Sequence, residues 1–150
     1  MIFSYNCKFE ALPAAVNKKI ENCKELSTVV PIINCKKCVV YSIPLPCGNK
    51  YVGQTGQCIN TRLTKHKSDV SKNKTLEFKR LADHTVDCEI CNEQGPDFIN
   101  TNILFKHRNR KSREIIETFF INNSNVAIST PQFDLHRIEV DILNKFLRSD

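Results

Sequence analysis

Glycine is scarce, at 4 residues; proline stands at 6, and no single-residue tract runs through the chain. These absences exclude collagen-like, linker-like and low-complexity sequences. No stretch approaches ~18 consecutive apolar residues, so no membrane-spanning helix is expected. The N-terminus, Met1 to Asn6, lacks a basic region followed by an apolar core, so no secretory signal is expected either. The expectation is a soluble intracellular protein with no membrane partner. What remains is 150 residues, 41% hydrophobic and 25% charged, which is enough for one domain with a real core. A net charge of +6 permits a polyanionic partner without demanding one.

Cysteine is the exception to this sparseness, with 8 residues. An even count raises the possibility of an extracellular disulfide scaffold, which the missing export signal disfavours. Spacing favours reduced, metal-binding thiols. Cys35-x2-Cys38 and His84-x3-Cys88-x2-Cys91 are local chelate spacings that bring ligands onto one ion at little cost in loop entropy. Cys7, Cys23 and Cys58 have no partner at chelate distance and read as buried or free thiols.

Periodicity supplies the elements. Leu12, Val16, Ile20, Cys23 and Leu26 predict an amphipathic helix over residues 12–26. Cys38 to Ile43, rich in β-branched and aromatic residues, predicts a strand; Lys50 to Gly53 predicts its hairpin partner across a turn holding Cys47, Gly48 and Asn49. From Cys58 to Val70, Ile59, Leu63, His66 and Val70 share one helical face, with Arg62 one turn before His66 on its edge. A further helix is expected from Thr75, as N-cap, through Leu81 toward His84, then a long loop carrying Cys88 and Cys91. Phe98 to Phe105 predicts a third strand. Ser112 is the expected cap of a helix burying Ile115, Ile116, Phe119 and Phe120, with Glu117 at the margin of that stripe and Glu114 opposite. Leu135, Ile138, Ile142 and Phe146 mark the expected inner face of a terminal helix.

The elements therefore run strand with Tyr41, turn, strand with Tyr51-Val52-Gly53, helix with Arg62 and His66, strand, helix with Glu117. Val39-Val40-Tyr41, followed ten residues after the tyrosine by Tyr51-Val52-Gly53, resembles the paired tripeptides of the GIY-YIG nuclease superfamily. Gln54-Thr55-Gly56-Gln57-Cys58-x3-Arg62-Leu63-x2-His66 resembles the continuation in the endonuclease domain of Penelope-like retroelements. Val39 and Val40 stand where the name has Gly and Ile, and Val52 where it has Ile; none of these is a reacting group.

The resemblance implies an α+β fold, a small three-stranded, mainly antiparallel sheet flanked by helices, over about residues 35 to 147. It implies an enzyme: a DNA endonuclease of retrotransposon origin that hydrolyses a phosphodiester with one Mg or Mn ion, held by Glu117. Arg62 would neutralise charge growing on the phosphoryl oxygens. Tyr41 and Tyr51 would position or deprotonate the attacking water, and His66 would orient a tyrosine or shuttle the proton. Which group is the base stays open. Singly, the tyrosines read as strand residues, His66 as a core histidine and Glu117 as a solvated carboxylate; together they favour a catalytic site.

The resemblance also implies a structural zinc built from hairpin cysteines and later histidines. Cys47 matches one hairpin cysteine, Leu45 stands at the other, and His84, Cys88 and Cys91 complete four ligands. The rival set is Cys35, Cys38, Cys88 and Cys91. The first is preferred, because Cys38 and Cys47 lie at opposite ends of the first strand, ~30 Å apart at ~3.3 Å per residue. Lys106, Arg108, Arg110, Lys111 and Arg113 form a basic stretch suited to DNA phosphates, or else a solvated loop. Residues 1–34 read as an N-terminal helical extension or the tail of an upstream region, such as a reverse transcriptase domain in the parent element, and residues 35–150 as the nuclease domain; a nuclear location is expected. The alternative function is a zinc-stabilised nucleic-acid-binding module that does not cut.

Overall fold

A computed structural model describes residues 31–72 and 80–148. The helix expected over residues 12–26 lies outside these residues, as do Cys7, Cys23 and the Thr75 cap. The described elements are strands β1 (Val39–Pro44), β2 (Lys50–Thr55) and β3 (Asn102–Lys106), with helices α1 (Ile59–Ser71), α2 (Arg80–Asp87), α3 (Glu89–Gln94), α4 (Arg110–Asn122) and α5 (Arg137–Leu147). This is the expected α+β architecture around a three-stranded sheet.

The sheet order is β2-β1-β3, and both pairings are antiparallel. The central strand β1 explains its own composition: Val39 through Ile43 are all buried, because helices cover both faces. Side chains alternate across the sheet, so Val39, Tyr41 and Ile43 pack with Ile59 and Leu63 of α1 and Leu81 of α2. Val40 and Val52 pack with Ile116 and Ile121 of α4 on the other face. The hairpin turn closes through Leu45 N–H to Asn49 O (2.9 Å) and Gly48 N–H to Leu45 O (3.0 Å). Gly48 takes a φ of 87°, a region that side-chain-bearing residues rarely enter. The outer edge of β2 is covered rather than open, since Ser129 Oγ accepts from Val52 N–H (2.7 Å) and donates to Val52 O (2.6 Å).

Upstream of β1 the chain is tied to α1. Asn60, fully buried, accepts from the N–H groups of Ile32 and Ile33 and donates to Ile33 O. One side chain thus satisfies three backbone groups where the segment packs on the core.

Several expectations shift. β3 starts at Asn102 rather than Phe98, because Asp97 forms a turn that accepts from Asn100 N–H (3.2 Å), and Thr101 Oγ1 donates to Phe98 O. The α4 cap is Asn109, whose side-chain oxygen accepts from Ser112 N–H (3.1 Å), so Ser112 is capped rather than capping. Ile115 is exposed and Arg113 buried, which rotates the inner face of α4 from the expected stripe. The chain around Cys88 and Cys91 is a short helix, α3, rather than a loop. On α5 the expected face is the wrong one. Ile138, Ile142 and Phe146 are 73%, 60% and 56% exposed, while Leu143 and Leu147 pack against the α4 side of the core. The helix carries two apolar stripes, and the core takes one.

Candidate active site and metal centre

The hairpin register places Tyr41 opposite Gly53. Two residues along the same face of β2 stands Tyr51, so both phenols lean over the glycine; their ring centroids are 6.5 Å apart. A Cβ on Gly53 would sit 2.8 Å from Tyr41 Oη and 2.9 Å from Tyr51 Cε1. The glycine of the Tyr51-Val52-Gly53 tripeptide is therefore the floor of the two-phenol arrangement. Its role went unnoticed in the sequence, where the tripeptide itself was the signal.

From α1, His66 enters the same place. Tyr41 Oη and His66 Nε2 share a hydrogen bond of 2.9 Å, and the imidazole meets Tyr51 edge-on at 5.0 Å between centroids. Arg62, one helical turn earlier, interacts with both phenols. Glu117 comes from α4 on the other side of the sheet and still reaches the electrostatic neighbourhood of Arg62, Tyr41 and Tyr51. Tyr41, Tyr51, Arg62 and His66 thus come together in space, and Glu117 bears on them through its charge.

Most of the cluster is withdrawn from solvent, and its protonation follows from that. Burial raises Tyr41 and Tyr51 above the usual phenol range, although Arg62 pulls each back. Burial, reinforced by the Arg62 charge, lowers His66 to about 3, so the imidazole is neutral at physiological pH. Burial also raises the Glu117 carboxyl to about 7 against the pull of Arg62. Two polar atoms have nothing to bond: Arg62 Nε and Glu117 Oε2 are both buried without a hydrogen-bond partner. An anion beside the first and a cation beside the second would satisfy them.

A second cluster closes the far end of the hairpin. Cys47 in the turn, His84 on α2, Cys88 at the N-cap of α3 and Cys91 within α3 bring their ligand atoms within 4.8 Å of one another, with Cys47 Sγ 3.3 Å from His84 Nε2. The donors suit a tetrahedral zinc ion, whose bonds of ~2.0–2.3 Å set ligand atoms closer than ~4 Å. Local geometry explains the approach: Cys88 N–H donates to His84 O and Gly95 N–H to Cys91 O, so successive turns present three ligands to one point. Despite burial, hydrogen bonds from the Asn49 backbone and from His84, Cys91 and Cys88 lower the Cys47 thiol to about 6. Burial and the neighbouring Cys47 push Cys91 up to about 12. One thiolate therefore forms readily and opposes the next, a conflict that a dication resolves.

The structure brings together the first ligand set and does not gather Cys35, Cys38, Cys88 and Cys91 into a cluster among the described residues. Cys35 is joined to Cys58, and Cys38 lies at the start of β1, across the hairpin from Cys88 and Cys91. The same bond corrects the expectation that Cys58 lacks a partner: Cys58 sits at the N-cap of α1, where Ile59 N–H donates to Lys36 O (2.8 Å) and draws the two segments together. Sequence separation hid the pair.

The basic stretch divides. Lys106, Arg108, Arg110 and Lys111 are exposed, with Arg110 paired to Glu114 at 2.7 Å. Arg113 is not a phosphate contact: only 4% exposed, it donates to Gln54 Oε1, His107 O and Arg108 O, pinning α4 to β2 and to the preceding loop. Among the described residues no helix is long and apolar enough to cross a membrane. Comparison with protein-family models, curated proteins and solved structures gives no match.

Proposed function

We propose that the chain is a DNA endonuclease of the GIY-YIG type, using one Mg or Mn ion at Glu117 and stabilised by zinc at Cys47, His84, Cys88 and Cys91. The observation that supports this reading is the convergence of two phenols, a guanidinium, an imidazole and a carboxylate, with one unbonded donor and one unbonded acceptor among them. Each orphan costs ~1–3 kcal/mol, which a bound phosphate beside Arg62 and a cation beside Glu117 would recover.

The roles follow from position. Tyr41 is fully buried and tied to His66, whereas Tyr51 is half-buried and lines the adjoining cleft. Tyr51 Oη is thus the phenol oxygen that meets and orients the attacking water, and the neutral His66 holds Tyr41 in place beside it. Arg62 turns its unsatisfied donor to the phosphoryl oxygens and balances the charge that builds there. Glu117, whose Oε2 has no hydrogen-bond partner, would hold the cation. When bound, that ion supplies Lewis-acid charge neutralisation and stabilises the departing alkoxide.

A supercoiled-plasmid nicking assay with Mg or Mn tests the reading, comparing the native chain with Glu117→Ala and Arg62→Ala. Conversion to open circles by the native chain, lost in both variants, is expected. Equal activity in all three would refute it, and DNA binding without cutting would indicate a non-cutting module.

A further inference from the structure

The phenol cluster opens into a cleft of about 170 Å³ between α1 and the start of α2. Its inner end is Tyr51, Arg62 and His66; its outer wall carries Lys65, Asp69 and Arg80. Resting on the nuclease reading, we infer that this cleft seats the DNA phosphate next to the one being cut, with Lys65 and Arg80 as its two contacts.

The geometry of α1 carries the first part. Arg62, Lys65, His66 and Asp69 stand at i, i+3, i+4 and i+7, so one helical face leads outward from the reacting groups. Arg80, the first residue of α2, faces the same cleft from the opposite wall. The residues that line it therefore bring three permanent cations against one carboxylate. A concave, net positive wall concentrates polyanions, and consecutive backbone phosphates are its natural occupants.

Size carries the second part. About 170 Å³ is well below the ~300 Å³ at which small-molecule pockets begin, which suits a backbone phosphate better than a free nucleotide. The larger groove on the molecule, about 860 Å³, lacks this character: prolines 31, 44, 46 and 96 line it with Phe98, and its Lys67 is offset by Asp97. The exposed basic residues Lys106, Arg108, Arg110 and Lys111 lie at the end of β3, in the loop after it and at the start of α4, and neither Lys65 nor Arg80 belongs to that stretch.

The test is binding rather than cutting. Affinity of the zinc-loaded chain for a short fluorescein-labelled DNA duplex is measured across a salt series, without added Mg or Mn, for the native chain, Lys65→Gln and Lys65→Ala/Arg80→Ala. Loss of two phosphate contacts should weaken binding roughly tenfold and lower the slope of log affinity on log salt by about 2, with Lys65→Gln lowering it by about 1. Lys65 is exposed, so its substitution leaves folding intact and keeps the test open if Arg80→Ala disturbs α2. Unchanged affinity and slope in both variants would overturn the inference, whether or not the native chain nicks plasmid. A lowered slope supports it even if nicking fails, which would count against the nuclease reading alone.

Discussion

The two clusters at either end of the hairpin are built by opposite strategies. The phenol cluster draws its residues from four separate elements, one each from β1, β2 and α4 and two from α1, held by packing and by a glycine that leaves room for them. The Cys/His cluster takes three of its four candidate ligands from the short run between His84 and Cys91, an arrangement that a metal ion could hold. Long-range sites of the first kind depend on the whole core, whereas chelate sites of the second kind depend on one ligand set and little else. Stability and chemistry should therefore separate when each is attacked in turn.

The largest effect should come from the metal. Stripping zinc with a chelator, or substituting Cys91→Ala, should cost stability on the order of several kcal/mol, read as a collapse of the melting temperature. Amide exchange should rise first at the hairpin turn and in α2 and α3. A chelated protein that melts unchanged would mean that the thiols hold themselves.

Gly53→Ala attacks the other cluster. The added methyl would meet both phenols inside 3 Å, so they must move. Nicking should fall about 100-fold, the usual cost of an ångström of misplacement, while zinc content stays one per chain. An unaltered rate would show that packing does not set the phenol positions.

Arg113→Ala sharpens the contrast between buried and exposed cations. Leaving Gln54 Oε1 and two backbone carbonyls without their donor should cost about 1–3 kcal/mol in urea unfolding. Lys111→Ala, on the exposed side of the same helix, should stay within about 0.5 kcal/mol. Equal costs would deny Arg113 its structural role.

The smallest effect is a pH dependence. Burial raises the Glu117 carboxyl to about 7, and in its proposed role it would bind a cation only when ionised, so protons would compete with the ion below that value. Mn affinity should be about tenfold weaker at pH 6 than at pH 8. His66 does not contribute over this range, because its lowered value keeps it neutral at both pH values. A flat affinity profile would place the cation elsewhere.

The catalytic candidates were legible through the resemblance to the GIY-YIG tripeptides and their continuation; strand alternation and helical spacing then fixed where Tyr41, Tyr51, Arg62 and His66 point, because all lie on regular elements. Glu117 was legible through the same resemblance, with its place on the margin of an apolar stripe distinguishing it from Glu114. Arg113 was not: in a run of alternating basic residues, nothing local says which cation turns inward to satisfy carbonyls. The α5 error has a related cause, since two apolar stripes satisfy the same periodicity test and only tertiary packing chooses between them. Cys35 and Cys58 escaped because their proximity comes from the α1 start folding back on residue 36, a long-range fact without a spacing signature.

Helix α2 has a consequence for practice. His84, a ligand, and Arg80, on the cleft wall, are one turn apart on the same short rod. If the cleft holds DNA as inferred above, a preparation lacking part of its zinc would lose grip on the nucleic acid as well as its fold, and would read as a mixture of tight and loose binders. Metal stoichiometry is thus the first quantity to fix before any affinity for this protein is compared between laboratories.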